Sequence, residues 1–229
     1  MPGLRIELLS LQDNLHQVRE RIELAAAASH RKTQDINLIA VTKVFPVAAI
    51  HEAYALGLRE FGENYVQEFE GKFPFVQNIK QDSRFHLIGH LQSNKARKVS
   101  EMFQVVQTVD SSKLARRLDA CGTKLDVMIE VKLSEEEAKH GAAPEELSEV
   151  VDTIQACPNL HLTGLMTMPP WSEDAEVARP YFAQLRELAG RLNLPQLSMG
   201  MSNDLEVAIA EGATHVRIGT ALFGKRKKP

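Results

Sequence analysis

The chain has 229 residues, 44% hydrophobic and 25% charged, with a net charge of −3. That size and apolar content suit one substantial core, and the near-balanced charge excludes the broad basic field of a nucleic-acid binder. The two cysteines, Cys121 and Cys157, fit no metal, redox or disulfide spacing, the first residues carry charges without an apolar h-region, and no apolar run is long enough to span a bilayer, so a soluble, cytoplasmic protein is expected.

Leu4, Leu8, Leu11, Leu15, Val18 and Ile22 recur at steps of four and three among charged residues. This predicts an N-terminal helix within residues 1–30 whose apolar stripe packs on the rest of the fold. From residue 36 onward, short apolar runs alternate with helical patterns. The predicted strands are 36–42, 59–61, 84–88, 104–109, 125–131, 160–166, 196–198 and 214–218. The helical patterns between them cover 47–57, 66–79, 94–103, 112–122, 143–157, 173–192 and 203–212. Many stop at a glycine, as a helix C′ position favours. Several strand runs are continuously apolar, as strands buried on both faces are. Eight strands interleaved with helices predict an α/β protein, a single-domain (β/α)8 TIM-type barrel over residues 1–229 with an extra N-terminal helix. The basic run 225–229 reads as a solvated tail. An open doubly wound sheet is the alternative, but it wants a glycine-rich turn after the first strand, and "VTKVFP" has none.

In such a barrel the C-terminal strand ends form the active face. Lys43 stands at the end of the first strand. It reads either as a surface or ion-paired lysine, or as an amine held in a partly dry site to attack a carbonyl. Glu63, Asn64 and Tyr65 follow the second strand beside Gly62, where a ligand would sit. Asn64 as a helix N-cap, with Glu68 in the first turn, explains much of the same pattern. His86 and His90 are four apart, but a glycine lies between them and no third ligand is evident, so no metal site is read there. Ser93 or Asn94 could cap the next helix. The last two units are the most informative. Ser202 stands near a helix start after strand seven, and Gly219-Thr220 follow strand eight. Phosphate commonly binds at these two places in a barrel, and an ordinary N-cap at Ser202 is compatible with that. Arg217 lies inside the last strand and needs a partner, either a carboxylate such as Glu130 or a ligand acceptor. An amine, a phosphate site and a fixed donor together call for a ligand with an aldehyde, a phosphate and a ring acceptor. Pyridoxal 5′-phosphate carries all three.

The stretches "AVTK", "FGENYVQE", "HLIGHLQSNK", "KHG", "GLMTM", "LSMGMSNDLEVAI" and "VRIGTALFG" resemble the pyridoxal-phosphate homeostasis protein family, related to the N-terminal barrel of alanine racemase, over residues 36–224. The resemblance implies that Lys43 holds the cofactor as an aldimine. It implies that the phosphate lies near Ser202, Gly219 and Thr220, that Arg217 faces the pyridine nitrogen, and that Asn64 and Met201 line the pocket. It implies a role in vitamin B6 and amino-acid balance without established turnover, so no catalytic residue is assigned. Transient delivery to pyridoxal-phosphate-dependent apo-enzymes is the partner expectation, and a monomer is expected. One departure is visible: Lys132 stands where the family usually has asparagine, in Val131-Lys132-Leu133-Ser134-Glu135. Solvent is the favoured direction for its side chain. The alternative is a small amino-acid racemase. An arginine at the ring nitrogen only donates and weakens the ring as an electron sink. Racemases of this type also bring a second domain and a tyrosine from a partner subunit. This chain ends just past its last barrel unit, and of Tyr54, Tyr65 and Tyr181 only Tyr65 falls in a site loop.

Overall fold

The computed structural model describes residues 10–134 and 140–224. Leu4, Leu8, Glu135 and the run 225–229 lie outside the described residues. The N-terminal helix, α1, spans Leu11–Ala28. It opens on a reciprocal cap: Ser10 Oγ accepts from the Asp13 N–H at 3.2 Å, and the Asp13 carboxylate accepts the Ser10 N–H at 3.1 Å. Its stripe residues Leu11, Leu15, Val18 and Ile22 are buried.

The strands are β1 (Asn37–Val41), β2 (Glu60–Glu63), β3 (Arg84–Leu87), β4 (Val105–Val109), β5 (Leu125–Glu130), β6 (Leu160–Met166), β7 (Gln196–Ser198) and β8 (His215–Ile218). Each is parallel to the next. The sheet closes where β8 pairs with β1, from Asn37 opposite His215 to Ala40 opposite Ile218. That closing pair excludes the open-sheet alternative. The intervening helices are α2 (Val47–Ala55), α3 (Val66–Lys72), α4 (Ala96–Met102), α5 (Ser112–Asp119), α6 (Leu147–Gln155), α7 (Arg179–Arg191), α8 (Leu205–Ala210) and α9 (Thr220–Phe223). Gly57, Gly122 and Gly212 follow α2, α5 and α8 with φ of 91°, 75° and 101°, the left-handed C′ geometry that glycine adopts without a Cβ clash. Proline shortens two predicted helices. The pattern at 66–79 breaks into α3 and a 3-10 turn, Phe73–Phe75, containing Pro74. The pattern at 173–192 becomes a 3-10 turn, Ala175–Ala178, and then α7 with Pro180 in its first turn.

Helix α1 packs on α8 and α9. Arg21 fastens it there, donating to Glu206 at 2.6 Å and to the Ser202 carbonyl at 3.0 Å. The extra helix is thus tied to the turn that follows β7. No helix among the described residues is long and apolar enough to cross a membrane.

The barrel floor carries a buried histidine at the start of β8. Burial pushes His215 down to about 4, with His86 adding to the effect and Glu60 opposing it. Its ring meets Thr214 Oγ1 at 2.9 Å and Asn37 Nδ2 at 3.3 Å. The folded protein keeps this imidazole neutral while the unfolded chain protonates it near 6.5. Stability is therefore fully present above pH ~6.5 and is lost as pH falls towards ~4. We expect His215→Asn to flatten that fall by about 3 kcal/mol, as the shift requires. Urea unfolding at neutral pH and near pH 4 measures it, and an unaltered pH dependence would remove His215 as the cause.

Candidate functional site

Lys43, Asn64, Met201, Ser202, Arg217, Gly219 and Thr220 come together around one cavity of about 570 Å³ at the C-terminal ends of the strands. The two ends of the chain pattern meet because β8 closes on β1.

Lys43 is half-buried and stands between two backbone positions that other side chains hold. Thr42 O accepts from Lys72 Nζ at 2.9 Å, and Thr42 Oγ1 donates to Glu63 Oε1 at 2.7 Å. On the other side, the Val44 N–H donates to Glu68 Oε1 at 2.6 Å. Lys72 Nζ joins both carboxylates, 2.9 Å from Glu63 Oε1 and 2.6 Å from Glu68 Oε1. One buried ammonium thus organises the groups that grip the chain before and after Lys43. Val44 has φ of 62°, a strained left-handed conformation for a β-branched residue that its surroundings must enforce. Burial pushes the Glu63 carboxyl up, and the Lys72 charge opposes the rise.

Asn64 does not cap α3. The N-cap is Tyr65, without a side-chain bond, and Asn64 instead lines the cavity with its Oδ1 buried and unpartnered among the described residues. Ser202 does not cap α8 either. That helix starts at Leu205 behind Asp204, and Ser202 Oγ accepts from the Ala221 N–H at 3.1 Å. This bond joins the turn after β7 to the turn after β8. Asp204 Oδ1 accepts the Met201 N–H at 2.6 Å, and burial pushes its carboxyl up. Ser93 and Asn94 form a 3-10 turn, Ser93–Lys95, and neither side chain caps the helix that follows.

Arg217 is 3% exposed. Its Nη1 donates to Ser198 Oγ at 2.7 Å and its Nη2 to the Thr167 carbonyl at 2.9 Å. The ion pair to Glu130 allowed by the sequence is not made. Burial pulls Arg217 down to about 10, which leaves it charged at neutral pH. Burial raises Glu130 to about 7, against the attraction of Arg217.

A second cavity of about 550 Å³ shares Asn64, Met168, Trp171 and Met201 with the first. Lys132 lines it and is half-buried, contrary to the solvent-facing expectation. Beyond β5, Val131 and Ala142 form an isolated parallel bridge, and the Lys132 N–H donates to Ala142 O at 2.9 Å. That pairing holds the backbone of residue 132 beside the second cavity. His90 stacks on His140 in this wall with ring centroids 3.5 Å apart, whereas His86 is buried inside the barrel. Among the described residues lining the two cavities there is no tyrosine. Tyr65 is 53% exposed, and Tyr54 donates to Asp82 at 2.8 Å. Sequence reasoning missed two features. Lys72 sits in a polar helix and carries no outward sign of burial, although its i,i+4 spacing from Glu68 was visible. Trp171, 75% exposed on the rim, was signalled only by the "PPWSED" loop (residues 169–174).

The family described as "Alanine racemase, N-terminal domain" matches residues 6–227. The pyridoxal phosphate homeostasis protein of Pseudomonas aeruginosa is 46% identical over 223 residues, covering 95% of this chain and 96% of that protein. The structure of PipY from Synechococcus elongatus with PLP bound is 38% identical, with a TM-score of 0.83, covering 94% of this chain and all of that one (100%). Alanine racemase from Corynebacterium glutamicum shares the fold at a TM-score of 0.67 and 17% identity, and the match covers 61% of its chain.

Proposed function

The chain belongs to the pyridoxal phosphate homeostasis protein family, and from that membership we propose that it binds pyridoxal 5′-phosphate in the 570 Å³ cavity and serves vitamin B6 and amino-acid balance without turnover. The observation that carries this reading is the convergence of an amine, a buried guanidinium and two hydroxyls on one cavity, from Lys43, Arg217, Ser202 and Thr220. The unpartnered Asn64 Oδ1 in the same wall fits a cavity built for a polar ligand.

When bound, pyridoxal phosphate supplies an aldehyde that links reversibly to amines and a ring that draws electrons from the linked group. Lys43 would hold it covalently. Ser202 and Thr220 would hold the phosphate, on turns that the Ser202–Ala221 bond keeps together. Arg217 would donate to the ring nitrogen. A guanidinium has no lone pair to accept with and does not give up its proton, so it keeps that nitrogen unprotonated and the ring a weak electron sink. Val41, Ile88 and Met201 supply apolar wall. Among the described residues no tyrosine stands in the lining to move a proton, which favours holding over racemising. A cytoplasmic monomer that passes the cofactor to apo-enzymes completes the reading.

The test is an absorption spectrum of the protein with cofactor, before and after borohydride. The wild type should show a visible band that reduction removes, leaving a phosphopyridoxyl mass increment on Lys43. Lys43→Ala should acquire no increment at residue 43. A wild type that stays colourless overturns the reading. Incubation with L-alanine in deuterated water should leave Cα unlabelled, and labelling with turnover would replace the carrier reading by the racemase.

A further inference from the structure

Arg217 is the end of a longer row. Its Nη1 donates to Ser198 Oγ at 2.7 Å, and Ser198 Oγ donates to Gln107 Oε1 at 2.6 Å. Gln107 Nε2 lies 3.0 Å from His86 Nδ1, and His86 Nε2 meets the Glu60 carboxylate. The row crosses the barrel interior from β8 through β7, β4 and β3 to β2. Arg217, Ser198, Gln107 and His86 are all buried, so water does not compete for these bonds.

The direction of every bond follows from the ends. Arg217 can only donate, so Ser198 accepts from it and gives its own proton to the Gln107 oxygen. That orients the amide with its nitrogen towards His86, whose Nδ1 must then accept. The imidazole proton is therefore assigned to Nε2, where it is donated to Glu60. Five groups on five strands share one donor direction, from a guanidinium to a carboxylate. Gln107 lies where β4 shifts register against β5, between Val106 and Val109, and such an irregularity re-aims a side chain. A glutamine within a fully buried strand is tolerable only with both ends of its amide met.

The guanidinium has two anchors, Ser198 on Nη1 and the Thr167 carbonyl on Nη2. Two anchors fix its plane, whereas one leaves a hinge. We propose that Gln107 is the positioning residue for Arg217, acting through Ser198 to fix the plane of the guanidinium that faces the cofactor ring, with His86 and Glu60 fixing Gln107 in turn. This rests on the cofactor reading given above.

The experiment titrates wild type, Gln107→Leu, Gln107→Asn and Gln107→Glu with pyridoxal phosphate, and melts each protein without it. Gln107→Leu removes the acceptor for Ser198. Gln107→Asn keeps an amide but falls a methylene short, and it serves if the leucine variant fails to fold. Both should bind the cofactor about tenfold more weakly, the effect of one lost hydrogen bond, and should shift the absorption maximum of the bound form. Gln107→Glu keeps the acceptor for Ser198 but gives up the donor to His86 Nδ1, so it should recover affinity and spectrum in part, ahead of the leucine variant. Wild-type affinity and spectrum in the leucine or asparagine variant, with only the melting temperature lowered, would make the row structural and overturn the proposal. A wild type that binds no cofactor overturns the cofactor reading itself, and the proposal with it.

Discussion

Replacing Lys72 with methionine should cost about 3–5 kcal/mol of folding stability near pH 8, and clearly less near pH 5. The reason is the charge left behind. Glu63 is fully buried, and without Lys72 it keeps only the Thr42 hydroxyl bond at 2.7 Å. Its other oxygen, Oε2, has no partner among the described residues. Burial already raises this carboxyl above its usual 4.5, and Lys72 restrains the rise, so the variant raises it further. A folded-state pKa above the unfolded one means stability that is present at low pH and lost as pH climbs past the unfolded value. The loss in the variant therefore grows from pH ~5 to pH ~8. Urea unfolding at the two pH values measures it, and an equal deficit at both would show that charge is not the cause. Glu63→Gln in the Lys72→Met background should recover part of the stability by removing the stranded charge. The effect also reaches Lys43. Glu68, which holds the strained Val44 N–H, loses its cation, so less borohydride-fixed cofactor should be found on Lys43 at a fixed cofactor concentration.

The barrel was legible because strands buried on both faces leave continuous apolar runs. The fourth and fifth runs match the buried β4 and β5 to within one residue. Helix ends were less so, since Pro74 and Pro180 divide patterns whose apolar spacing runs on through them. Lys43 and Arg217 stood out because a cation on a buried strand demands a reason. Their partners did not. Arg217 bonds Ser198, 19 residues away, and Thr167, 50 away, in place of Glu130. Such pairings exist only once the barrel has closed, and a hydroxyl and a backbone carbonyl carry no charge signal to match against a guanidinium. Asn64 and Ser202 have the residue types of helix caps, and only the observed helix starts at Val66 and Leu205 separate a cap from a cavity wall. Lys72 and Gln107 were hidden for opposite reasons: one is a charge in a helix that composition assigns to solvent, the other an amide within an apolar strand run.

Gly89→Ala should weaken cofactor binding about tenfold or more and cost about 1–3 kcal/mol of stability, as overpacking does. The backbone at Gly89 is not left-handed, so the cost is one of space alone. A Cβ there would lie 2.2 Å from the Asn64 carbonyl oxygen and 2.8 Å from Asn64 Cα. Both are backbone atoms and cannot rotate aside. The neighbouring chain cannot easily yield either. The Gly89 carbonyl accepts from Thr108 Oγ1 at 2.8 Å, and the Ile88 N–H donates to Glu63 O at 2.9 Å. The segments after β2 and β3 are thus locked face to face, and the displacement falls on Asn64, whose side chain lines both cavities. A double-mutant cycle with Asn64→Ala separates this route from a general loss of packing. If Gly89→Ala acts by moving Asn64, it should weaken cofactor binding far less once that side chain is gone, while its cost in thermal unfolding should persist. Additive losses in cofactor binding would mean that the methyl group disturbs the cavity by a path that does not pass through Asn64.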